Sequence, residues 1–237
     1  MSAAPATSTR RVPAWTVVAA AVVLASWVGM LAIPMSHDLP AVAAGWVLMV
    51  IAMMVPTVAR PMLRISAGNG PRAFAFISGY VLAWTLSLPI AALVMRAPIW
   101  STTSVIVLWI AVGFYQLLPT TAKNLRRCRS LDATASASSL GVRQGIACMI
   151  ACLPMMLAVM LSIMVWNTAI VPTALIVLAA CAFMIWEKTP SVSRTAIRGS
   201  GIAIVLASVV AFTFGIGMTD AGHVHDASGQ ATGVSRS

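Results

Sequence analysis

Sulfur-bearing side chains recur every four residues in one apolar stretch of the sequence. The series runs through Cys148, Cys152, Met156, Met160 and Met164. Because residues four apart lie nearly above one another on an α-helix, these sulfur atoms are expected to form one slowly drifting stripe. Thiolate and thioether ligands select Cu(I) over Mg²⁺, Ca²⁺ or Mn²⁺, so the stripe predicts a site for a soft cation. The alternative interpretation is packing, since Met and Cys are also good apolar fillers.

A second set of candidate metal ligands lies near the C-terminus. His223 and His225 form a His-x-His pair, with Asp220 and Asp226 close by. Imidazole and carboxylate groups in this arrangement can bind Cu(II) or Zn²⁺ and could collect metal at the outer surface. The competing interpretation is a polar, solvated tail, because two histidines in a flexible segment make a weak site.

The elements that must position these residues are membrane-spanning helices. The chain has 237 residues, of which 60% are hydrophobic and 8% charged, and its mean hydropathy is +0.94. Soluble domains carry about a quarter charged residues, so this composition excludes a water-soluble globular protein. The apolar runs are too long and continuous for barrel strands, which predicts an all-α bundle of transmembrane helices.

About seven helical spans fit the chain, because each needs about 20 residues. Proline and glycine residues mark many of their ends. Outside the spans we expect a cytosolic N-terminal tail over 1–13, a cytosolic linker over about 120–143 and a flexible outer tail over 220–237. The predicted spans are 14–34, 40–58, 73–95, 101–119, 144–166, 169–187 and 199–219.

The distribution of Lys and Arg predicts the orientation of these spans. Of the 15 basic residues, only Arg96 and Arg236 lie in the segments on one side. All the others occupy the alternate segments, and such an excess is typical of cytoplasmic loops. The N-terminus is therefore expected inside and the C-terminus outside.

Two methionines of the second span fall at the same predicted depth as the cysteines of the fifth. The two spans run in opposite directions, and a helix rises about 1.5 Å per residue. Cys148 and Met53 then lie roughly 6 Å from the inner face, and Cys152 and Met49 roughly 12 Å; Cys181 shares this layer. Cu(I) suits such a layer because one thiolate neutralises it, whereas Zn²⁺ needs two, and uncompensated charge in lipid is expensive.

Three other features predict structure rather than chemistry. Pro154 lacks an N–H and should kink its helix, so the Ile150 carbonyl must stay unpaired or find another donor. Tyr115 is expected to hydrogen-bond between helices. Glu187 and Lys188 are expected to form a local pair at the membrane interface.

Few side chains of this sequence could perform catalysis. No Asp, Glu, Lys, Arg or His lies deep in a predicted span, so we expect no enzyme. The net charge of +10 lies in loops rather than on a face for nucleic acid, which leaves the lipid bilayer as the expected partner. Two functions remain: Cu(I) handling or delivery, and a non-catalytic structural or accessory subunit of a larger membrane complex.

Three ordered motifs between residues 40 and 190 resemble those of a bacterial family of integral membrane proteins. The first, W-x-x-M-x-x-A-M-M-x-P, is matched by residues 46–56. The second, Y-Q-x-x-P-x-K-x-x-C-L-x-x-C-R-S, is matched in part by residues 115–130. The third, G-x-x-C-x-x-C-C-W-x-x-M with a later E-K, is matched in part by residues 145–156 and 187–188. The family is catalogued as predicted metal-binding membrane proteins, and its members are labelled copper chaperones.

The resemblance implies a protein of the bacterial inner membrane that binds copper and serves a membrane-protein partner or a copper-dependent enzyme. It also implies that Cys128, in the second motif, is a metal ligand. The sequence departs from the family at Thr121, Asn124, Ala151 and Leu153, where the motifs have lysine, cysteine, cysteine and tryptophan. Two family cysteines are therefore absent, so we expect weaker or different metal binding. The complete set of predicted metal ligands is Cys148, Cys152, Met156, Met49, Met53, Cys128, His223 and His225.

Overall fold

The computed structural model of the protein describes residues 14–32, 38–66, 69–129, 135–166, 170–189 and 192–213. All regular secondary structure in these ranges is helical, which confirms the all-α prediction. Among the described residues, five helices are long and apolar enough to cross a membrane, and six if a bent helix pair counts as one span. The count of seven spans and their orientation remain predictions.

The helices follow the apolar runs of the sequence, with a π-helical turn inserted in the second. Each predicted span contains helix within its described residues, although the span 73–95 is divided between two helices and the ends differ by several residues. The elements are α1 (Ala14–Ala32), α2 (Leu39–Met49), the π-turn (Val50–Met54), α3 (Val55–Thr57), α4 (Ala59–Ser66), α5 (Gly70–Thr85), α6 (Leu88–Arg96), α7 (Thr102–Leu117), α8 (Pro119–Arg129), α9 (Ala137–Trp166), α10 (Ile170–Glu187) and α11 (Arg194–Thr213).

The segment predicted as a linker over about 120–143 contains helix α8 and the first turns of α9. Helix α8 is bent by 72° from α7. The bend occurs because Leu118 precedes Pro119 and adopts an extended conformation, as residues before proline usually do. The Thr121 hydroxyl donates to the Tyr115 carbonyl at 2.7 Å and so satisfies one of the last carbonyl groups of α7. The bend directs α8 against α9.

Helix α9 is the centre of the bundle, and α5 packs most closely along it. Glycines permit this approach: a Cβ atom on Gly141 would overlap the carbonyl group of Phe76. A Cβ atom on Gly145 would lie 2.6 Å from the Ala83 Cβ and 2.8 Å from the Tyr80 carbonyl oxygen. Small residues at such positions let two helix backbones come into contact, and here they bring Tyr80 beside α9.

Prolines inside two helices free carbonyl groups, and aromatic side chains from other helices donate to them. Pro56 cannot donate to Ala52, whose carbonyl oxygen accepts from the Trp27 indole at 3.1 Å. Helix α9 continues through Pro154, and the Ile150 carbonyl oxygen accepts from the Tyr115 hydroxyl at 2.5 Å. The interhelical role predicted for Tyr115 is thus confirmed.

The Tyr115 hydrogen bond leads to a testable stability difference. Tyr115→Phe should lower the free energy of unfolding by about 1–2 kcal/mol, because the Ile150 carbonyl loses its donor. In a Pro154→Ala background the new backbone N–H can reach Ile150, so the same substitution should cost less. A double-mutant cycle of unfolding in mixed detergent micelles measures both. Equal costs in the two backgrounds would contradict this account.

Candidate functional site

The predicted sulfur stripe lies inside the protein. The side chains of Cys148, Cys152, Met156 and Met160 are each at most 2% exposed, and Met164 at the far end of α9 is partly buried. The stripe of α9 therefore faces neighbouring helices along most of its length. Burial alone is consistent with a packing role and with a binding role. A sulfur atom that binds metal is expected to have polar partners, so these partners are described next.

Cys148 has an unusual number of polar partners for a buried cysteine. Its Sγ atom accepts from the Tyr80 hydroxyl at 3.0 Å and from the Lys188 ammonium at 2.7 Å. Cys128 and Cys152 lie beside the same thiol. Two donors, one of them charged, stabilise negative charge on this sulfur, which is the form of cysteine that binds metal.

Lys188 directly follows the last residue of α10, and its side chain turns into the bundle. Its Nζ atom donates to Cys148, to the Thr57 hydroxyl at 2.8 Å and to the Met54 Sδ at 3.8 Å. The Thr57 hydroxyl itself donates to the Met54 carbonyl at 2.7 Å, so its oxygen is free to accept from lysine. All three ammonium protons thus have acceptors, as expected for the charged form.

The Lys188 ammonium thus reaches beyond a local contact at the interface, to Cys148, Thr57 and Met54, and the Glu187–Lys188 pair stays a prediction. The residue is partly exposed as a whole, while its ammonium group donates to three acceptors inside the bundle. Burial lowers the pKa of Lys188, but the Cys148 sulfur facing it raises that pKa well above its usual value. Sequence reasoning missed this residue, although the E-K element of the third motif could have singled it out.

The bend between α7 and α8 brings Cys128 back to α9. Cys128 is buried, and its backbone carbonyl accepts from the side-chain amide of Gln144, which lies one helical turn before Cys148. The family motifs place Cys128 and Cys148 in separate segments, and the structure makes them neighbours.

The methionine that contacts Lys188 beside Cys148 is Met54, which directly follows the predicted ligand Met53. Met49 and Met53 are fully buried in the same core. The Met53 carbonyl lies 4.0 Å from the Cys181 Sγ, which brings the π-turn beside α10. His223 and His225 lie outside the described residues.

The described residues contain no preformed cluster of three or more His, Cys, Asp or Glu side chains arranged to hold a metal ion. Cys128 and Cys152 neighbour Cys148, but Lys188 rather than a metal ligand completes the group. The donors nonetheless suit a soft monovalent ion, because Cys148 supplies a sulfur that accepts from a cation and Met54 supplies a thioether.

A comparison with protein-family models identifies the group to which the sequence is related. The model described as PpoB2, copper chaperone, matches residues 43–211. The chain belongs to this family. The matched part contains Cys148 and the residues around it, which we call the Cys148 group. These are the π-turn, Tyr80, Cys128 and Lys188. No curated protein and no solved structure matches the sequence significantly.

Proposed function

We propose that this protein binds Cu(I) within the membrane for handling or delivery, at a site centred on Cys148. One observation carries the proposal: the buried Cys148 sulfur accepts from both Tyr80 and the Lys188 ammonium. A charged donor beside a cysteine favours its thiolate form, and thiolates with thioethers favour Cu(I). Membership of a copper chaperone family supports the same ion.

The other proposed ligands inside the bundle come from three segments. Cys152 and Met156 follow at successive turns of α9, and Cys128 approaches from α8. Met49 and Met53 belong to the same buried core and are proposed as ligands from the second span. His223 and His225 are proposed to receive copper at the outer surface before it enters.

Seven spans, with the N-terminus inside, are our proposal for the arrangement in a bacterial inner membrane. Five long apolar helices, the bent pair α7–α8 and the shorter apolar helix over Ala174–Glu187 support this count. The concentration of Lys and Arg in alternate segments supports the orientation. In this arrangement Lys188, Thr57 and Cys148 share the cytoplasmic end of the bundle.

The proposed activity is binding and transfer without catalysis. The recipient would be a membrane-protein partner or a copper-dependent enzyme, and nucleic acid is not a proposed partner. Copper is the cargo of such a protein, so its residues need to bind the ion reversibly.

Titration with Cu(I) tests the proposal directly. The full chain, purified in detergent under reducing conditions, is titrated against a chromophoric Cu(I) chelator beside the Cys148→Ser/Cys152→Ser variant. We expect the wild type to bind Cu(I) and the variant to lose it. Equal affinity in both proteins would refute the Cys148-centred site. A metal-free chain that co-purifies with a stoichiometric protein partner would instead favour the accessory-subunit function.

A further inference from the structure

A cation already lies between a cysteine and a methionine in this structure. The Lys188 Nζ is 2.7 Å from the Cys148 Sγ and 3.8 Å from the Met54 Sδ. Thiolate and thioether are the two ligand types that Cu(I) prefers, and here both face a single positive charge. The position of the ammonium is therefore one that a soft monovalent ion could take.

We propose that Lys188 is the displaceable cation of the metal-free state, and that incoming Cu(I) replaces its ammonium group between Cys148 and Met54. This inference rests on the proposed function and adds Met54 and Lys188 to it. Bonds from copper to the Cys148 and Met54 sulfur atoms form as the N–H···S hydrogen bonds break. Lysine keeps its proton and no electron is transferred.

The exchange leaves the net charge of the buried site unchanged, which supports it. Cu(I) and the ammonium group each carry one positive charge, so the buried group has the same net charge before and after the exchange. Without a cation at this position, a thiolate at Cys148 would be costly in the apolar interior and the sulfur would take up a proton instead. A divalent ion in the same place would leave one excess positive charge, so the exchange favours a monovalent cargo.

The position of Lys188 in the chain allows the ammonium to leave without unfolding the site. The residue lies at the end of α10 and is partly exposed, so its flexible stem can carry the ammonium toward water. Its backbone N–H bonds to the Met184 carbonyl, which anchors the main chain while the side chain moves. Tyr80 continues to donate to Cys148 from α5.

Amine labelling can follow this displacement, because the chain contains two lysines and the second is a built-in control. Lys123 lies on α8 and is exposed. The full chain, in detergent with a thiol-free reductant, is treated briefly with an acetylating ester, either metal-free or loaded with Cu(I). Mass spectrometry then quantifies acetylation at both lysines, and the bound copper is measured in the same sample.

We expect Lys188 of the metal-free protein to react at least about tenfold more slowly than Lys123, because its hydrogen bonds to charged and polar groups protect it. Binding of Cu(I) should largely remove this difference and leave Lys123 unchanged. Met54→Leu, which nearly conserves volume, should keep the metal-free protection of Lys188 but weaken Cu(I) binding.

The possible failures are distinguishable. Copper bound to a chain whose Lys188 remains protected would overturn the displacement and leave the proposed function intact. A wild-type chain that binds no copper would overturn both. Equal reactivity of Lys188 and Lys123 before copper is added would show that the ammonium does not occupy the site, which also overturns the displacement.

Discussion

Replacement of Cys148 by serine is expected to lower the affinity for Cu(I) by at least about 100-fold, since even changes outside the direct ligand shell commonly cost 10–100-fold. Serine occupies nearly the same space and can still accept hydrogen bonds from Tyr80 and Lys188. It lacks the soft, anionic sulfur that binds Cu(I). The loss should therefore appear in binding while the helices stay packed, and competition against a Cu(I) chelator measures it.

Cys181→Ser is the matched control for this substitution. Cys181 is also buried, but its thiol is directed to the Met53 carbonyl rather than to the Cys148 group. We expect the control to retain Cu(I) affinity within a few-fold and to melt at the same temperature as Cys148→Ser. Equal losses of affinity in the two variants would indicate a general effect of removing a buried thiol and would contradict a site centred on Cys148.

The second large effect is on stability, at the contact between α5 and α9. Gly141→Ala would place a methyl group in the carbonyl of Phe76, and a carbonyl in a helix backbone cannot move away on its own. The two helices must separate, which should cost about 1–3 kcal/mol or more of unfolding free energy. Unfolding in mixed detergent micelles, followed by circular dichroism, measures this cost.

The control is Gly199→Ala on α11. A Cβ atom on Gly199 meets no other atom within 4 Å, and the residue is exposed. Because alanine favours the helix by about 1 kcal/mol over glycine, this variant should be neutral or slightly more stable. If both variants changed stability alike, helix propensity rather than close packing would explain the result, and glycine would not be needed for the α5–α9 contact.

Local properties of the sequence determined the helical class and the positions of the helices. Apolar runs of about 20 residues can satisfy their backbone in lipid only as helices or closed barrels, so no long-range information was needed. The same holds for Pro154, whose missing N–H leaves the Ile150 carbonyl without its helical donor in any fold. The four-residue spacing from Cys148 onward likewise defines one helical face in any helix.

Tertiary structure decided which side chains meet that face. Lys188 is 40 residues from Cys148 in the chain. Their contact depends on how α9 and α10 are rotated about their axes, which apolar periodicity does not specify when a helix is apolar all round. Tertiary structure also decided that Met54 is the methionine that contacts Lys188. The π-turn from Val50 to Met54 changes the helical phase, so the even rise that predicted Met49 and Met53 could not predict which thioether would reach Lys188.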